Sequence, residues 1–125
     1  MTIYIDTHVA CWLHMGDKNK FTDNVLNLIE KNEVKISPMV SLELQYLYEI
    51  KRLAVKPNRL LEILRLDFKI KECDAEFAMI SQFARKINWT RDPFDRIITA
   101  QAMLFNAKLL TKDNTILKNY KNAVW

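Results

Sequence analysis

Short apolar runs alternate with longer stretches of helical periodicity along the whole chain, and that alternation most restricts the fold. Ile3 to Ile5 is a short, β-branched run that stops at Asp6 and reads as a buried strand. Val34 to Ser37, Phe68 to Cys73 and Lys108 to Thr111 read as further strands, with Ala123 to Trp125 as a last edge strand. Between them the pattern predicts helices over Val9 to Met15, from a Thr22 cap through Ile29, over Met39 to Leu53 and over Pro57 to Leu66. Three more are expected: from an Asp74 cap to Ile87, over Pro93 to Phe105, and over Thr115 to Tyr120. Strands that alternate with helices imply an α/β fold with a mostly parallel sheet. Ligands of such sheets bind beyond the carboxyl ends of the strands, which directs attention to the residues there. A length of 125 residues favours one domain over residues 1–125.

Composition removes several function classes. Gly16 is the only glycine, so neither a glycine-rich dinucleotide turn nor a phosphate-wrapping P-loop can be built. Any phosphate chemistry has to use side chains or metals. Cys11 and Cys73 are too few for a disulfide framework and fit a reducing cytosol. Asp6 interrupts the first apolar run, so neither a signal peptide nor a membrane span is expected, and the expected location is cytoplasmic. The net charge of +4 permits a polyanionic partner without requiring one.

Four acids stand where a site would be. Asp6 closes the first strand, as a cap or as a site residue. On a helical wheel Glu43 falls among Met39, Val40, Tyr46, Leu47 and Ile50, on the face its helix should bury. A carboxylate there costs several kcal/mol unless a cation, hydrogen bonds or a proton compensates; a structural ion pair is the other reading. In RDPFDRIITAQA, Asp92 before Pro93 is a good helix cap. Asp95 lies one turn further in, on a stripe with Ile98 and the small residues Thr99 and Ala102. Asp113 follows the strand Lys108 to Thr111, where a turn or cap is the competing explanation. Clustered carboxylates repel one another unless a cation relieves them. Hard oxygen donors suit Mg²⁺ or Mn²⁺, which can polarise a phosphoryl oxygen and activate water.

With IYIDTH, SPMVSLEL, RDPFDRIITAQA and LLTKDNTIL in this order, the chain resembles a PIN-domain ribonuclease of the VapC type, in the branch that carries RDPFDR. The resemblance covers almost the whole chain. It implies a three-layer α/β/α sandwich with a central, mostly parallel sheet, and a single PIN-like nuclease domain. It also implies Mg²⁺- or Mn²⁺-dependent endonuclease cleavage of RNA, homodimerisation, and inhibition by a small cognate antitoxin. Asp6, Glu43 and Asp95 match the family's core acids and Asp113 its more variable fourth. Asp92, Thr7 and Thr111 match accessory positions. Arg91, Arg96 and Lys112 are candidates for phosphate contact or for pairing with the neighbouring acids. Ile116 stands where many relatives carry an aromatic residue.

The remaining features are weaker. His8, Cys11 and His14 have a ligand-like spacing, but on a helix they spread over about 120° and lack a fourth zinc ligand. Trp12, Trp89 and Trp125 can stack on bases or pack in a core or interface. Two rival functions are a non-catalytic binding module that acts through an antitoxin or RNA, and an aspartate-based receiver domain. The four acids oppose the first. The second needs a pair of acids beside a central strand, and the first strand ends in only one.

Overall fold

The computed structural model describes residues 1–125. Five strands form one sheet: β1 (Thr2–Ile5), β2 (Glu33–Ile36), β3 (Lys71–Glu72), β4 (Leu109–Leu110) and β5 (Ala123–Val124). Their order is β3-β2-β1-β4-β5, and every pairing is parallel. Seven helices connect and flank them: α1 (Thr7–Met15), α2 (Asp23–Lys31), α3 (Pro38–Glu49), α4 (Pro57–Phe68), α5 (Phe77–Ala84), α6 (Pro93–Leu104) and α7 (Asn114–Asn119). The result is the expected α/β/α sandwich.

Burial on both faces explains why β1 and β4 carry almost no polar residue: Ile3, Ile5, Leu109 and Leu110 are fully enclosed. Helix starts follow the caps the sequence offers. Thr22 accepts a hydrogen bond from Val25 N–H, Ser37 from Met39 N–H and Asp113 from Ile116 N–H. Gly16 ends α1 in the left-handed conformation (φ 68°), which a residue with a Cβ rarely adopts.

Four expectations need correction. The strand expected over Phe68 to Cys73 shrinks to Lys71–Glu72, because Leu60 and Leu64 bury one face of α4 and carry the helix on to Phe68. Lys69 then ends α4 with a left-handed turn (φ 58°). Asp74 does not cap the next helix, which begins at Phe77 after Glu76 and has no side-chain cap bond. Helix α3 stops at Glu49, with Lys51 in a left-handed turn, and does not reach Leu53. Its deepest line runs through Val40 and Leu44, while Tyr46 and Ile50 are exposed. Glu43 therefore sits at the rim of the buried face, half-buried, and not at its centre.

The sheet order contains a reversal at its middle. From β1 the chain steps outward through β2 and β3, then returns to place β4 on the other side of β1. The crevice beyond the carboxyl ends of β1 and β4 is where such a sheet admits a ligand.

Candidate active site

Strand register builds the centre of that crevice. Tyr4 pairs with Leu109 and Ile5 with Leu110, so the next residues, Asp6 and Thr111, emerge side by side. Both are buried. The Thr111 hydroxyl donates to Asp6 Oδ2, while Asp6 Oδ1 accepts from Val9 N–H at 3.1 Å. Asp6 thus caps α1 and stands at the carboxyl end of β1 at once. Thr111 Oγ1 also accepts from Asp113 N–H at 3.1 Å, which fixes Asp113 beyond β4.

Two helices bring the other acids. Helix α3 packs against α1, and the Thr7 hydroxyl donates to Glu43 Oε1. At the start of α6, Asp92 Oδ1 accepts from the N–H groups of Phe94 at 2.8 Å and Asp95 at 3.3 Å. Those bonds and Pro93 fix the first turn and so the position of Asp95. Asp92 itself is exposed, and Asp95 is half-buried.

The electrostatics show that these side chains share one field. The Asp95 carboxyl is pushed up to about 7, first by burial and then by the charges of Asp92, Asp113, Glu43 and Asp6. Burial also raises Asp6, against the bonds from Thr111 and Val9 and the nearby His8, with Glu43 adding to the rise. Glu43 is raised by burial, which Thr7 and His8 oppose and Asp92 reinforces. No lysine or arginine forms an ion pair with the group: the two ion pairs of the molecule, Lys35–Glu33 and Arg59–Glu62, lie elsewhere. Arg96 is not a partner of the acids beside it: its Nε donates to the Thr90 carbonyl at 2.8 Å and holds the preceding loop.

The donor set is all oxygen and negatively charged, which suits a small hard cation. No three His, Cys, Asp or Glu side chains already converge as a cage. Glu43 turns one oxygen to Thr7 and leaves the other available, while each Asp6 oxygen accepts one hydrogen bond and keeps a lone pair free. That arrangement fits a cation that keeps several waters and takes one or two carboxylates together with substrate phosphate, as Mg²⁺ does. It does not fit a closed zinc site. Nor do His8, Cys11 and His14 converge on one another as ligands. Burial pushes the Cys11 thiol up to about 11, aided by Asp6 and Glu43, which disfavours a thiolate nucleophile at neutral pH.

Sequence reasoning left His8 and Trp12 outside the acidic site, weighing His8 only as a zinc ligand and Trp12 as a base-stacking or packing residue. With Asp6, Lys112 and Asp113 they line a hollow of about 240 Å³. The signal was the placement of His8 two residues after Asp6, in the first turn of α1. The largest hollow, about 580 Å³, lies elsewhere, among Met1, Thr2, Tyr4, Asn106 and Lys108, and contains none of the four acids singled out above.

A family profile described as PIN domain matches residues 3–122. No curated protein matches the sequence. Among solved structures, VapBC2 from Rickettsia felis, bound to a DNA fragment from their promoter, aligns with a TM-score of 0.70 at 20% identity. That alignment covers 99% of this chain and 96% of the other. VapBC-1 from nontypeable Haemophilus influenzae aligns with a TM-score of 0.69 at 18% identity, covering 100% and 96%.

Proposed function

The chain belongs to the PIN-domain family, and from that premise we propose that it is a metal-dependent endoribonuclease, the VapC-type toxin of a type II toxin–antitoxin pair. One observation carries the reading: Asp95 stands in the combined field of Asp6, Glu43, Asp92 and Asp113, with its carboxyl raised to about 7. Four carboxylates that each raise Asp95, none ion-paired to a lysine or arginine, form a group that a cation brought to the site would relieve.

Mg²⁺ or Mn²⁺ is the cofactor that this donor set fits, and Asp6, Asp95 and Asp113 with Glu43 would hold it. Such an ion polarises the phosphoryl oxygen and lowers the pKa of water when bound. The chain's own part is positional. Thr111 and the Val9 N–H fix Asp6, so one carboxylate is aimed before substrate arrives. Thr7 fixes Glu43 through one oxygen and leaves the other to orient the attacking water. Asp92 sets the turn that carries Asp95. Exposed Lys112 and Arg91 are available to the RNA backbone.

The two neighbours known as VapBC support a cognate antitoxin as partner. Exposed Leu42, Tyr46, Phe77 and Met79 on α3 and α5 leave apolar surface that supports further burial against protein, including a second copy. No helix is long and apolar enough to cross a membrane, and we propose that the protein acts in the cytoplasm.

The test is to map RNA ends after induced expression, with Asp95→Ala as the control. New ends are expected with the wild type only. The same end profile from both proteins would refute the nuclease.

A further inference from the structure

The hollow beside the acids has a lining that metal chemistry does not explain. Asp6 and Asp113 border it, and so do His8, Trp12 and Lys112. Trp12 is half-buried and held from several directions. Its ring centroid lies 5.5 Å from Trp125 and 6.4 Å from Phe21, both edge-on, and 6.2 Å from His8 at a tilt. Lys20 Nζ stands 5.7 Å from the same ring. A tryptophan needed only for packing would be covered by these neighbours, whereas this one also borders the space that contains two of the acids.

We propose that Trp12 and His8 form a nucleobase subsite for the nucleotide next to the scissile phosphate. The inference rests on the proposed function for the position of that phosphate. Polyanion binding alone needs only cations. An aromatic group at this point recognises the flat face of a base and makes the substrate a strand whose base is unpaired there. The hollow has the room of about eight waters at about 30 Å³ each, ample for one base. Phe21 and Trp125 brace the Trp12 ring, so a base meets a surface already ordered. Lys112 borders the hollow and neutralises the adjoining backbone.

The test compares two fluorescent probes of equal charge: a ten-nucleotide oligoadenylate and a ten-unit abasic ribose-phosphate chain. Binding to the full chain is measured by anisotropy in an Asp95→Asn background, which prevents cleavage. The oligoadenylate is expected to bind roughly tenfold tighter, the scale of one stacked base. That preference is expected to vanish in Trp12→Leu. Because Trp12 also packs on Phe21 and Trp125, His8→Ala at an exposed position is the second arm, with a partial loss expected. Equal affinity for the two probes overturns the subsite, as does a base preference intact in both variants. Base preference with no RNA cleavage by the wild type supports the subsite and refutes only the nuclease reading.

Discussion

Replacing Asp95 by Asn is expected to make the metal-free protein more stable while removing its activity. The folded chain raises this carboxyl from its ordinary 3.8 to about 7, so it holds the proton more tightly than the unfolded chain does. Below pH 4 both states are protonated and Asp95 makes no difference. Between pH 4 and 7 the unfolded chain has lost the proton and the folded chain retains it, so stability falls as pH rises. Above pH 7 both are ionised and the full cost is present. Unscreened, the shift corresponds to roughly 4 kcal/mol. Asp95 is only half-buried, and solvent screening reduces that to about 1–2 kcal/mol. In EDTA at pH 8, Asp95→Asn should therefore melt about 4–8 °C above wild type. The gap should close near pH 4. Mg²⁺ should reverse it at pH 8, since a ligand at about 100 times its Kd stabilises the wild type alone by about 2.7 kcal/mol, more than the gap. Calorimetry or circular dichroism melts over this pH range decide the matter. A variant equal to or less stable than wild type at pH 8 would show that Asp95 feels no such field.

Thr111→Val removes the donor to Asp6 and the acceptor for Asp113 N–H; cleavage is expected to fall about 10- to 100-fold, and stability by about 1–3 kcal/mol, read by initial rates and melts. Asp92 separates by variant: Asp92→Ala should cost about 1 kcal/mol through the lost cap. Asp92→Asn keeps the cap and removes a charge that raises Asp95, so NMR titration should find the Asp95 carboxyl lower than in wild type. An unmoved titration would exclude Asp92 from the shared field.

Local signals were legible where they act over a few residues. The end of β1 at Asp6, the Thr22 cap and the Asp92–Pro93 start of α6 each follow from short-range chemistry, and each stands where expected. Errors arose where tertiary packing decided the outcome. The alternation from Phe68 to Cys73 reads as a strand, yet burial of Leu60 and Leu64 extends α4 through Phe68. The helical wheel put Glu43 at the centre of a buried stripe because it treated every apolar residue alike, whereas Val40 and Leu44 are the residues of α3 that are fully buried. The bond from Thr111 to Asp6 spans 105 residues and depends on parallel register, which no local pattern carries. His8 shows the same limit. Its spacing to Cys11 and His14 suggested a ligand set, while its effect is on the charges of Asp6 and Glu43.

The central claim is that these carboxylates serve a divalent cation in RNA hydrolysis. Its most direct measurement is cleavage of end-labelled RNA by the purified chain, in Mg²⁺ or Mn²⁺ and in excess EDTA, with Asp95→Asn alongside. Turnover is predicted only for wild type with metal, restored when Mg²⁺ is added back in excess over the chelator. Undiminished wild-type turnover in excess EDTA would contradict the account.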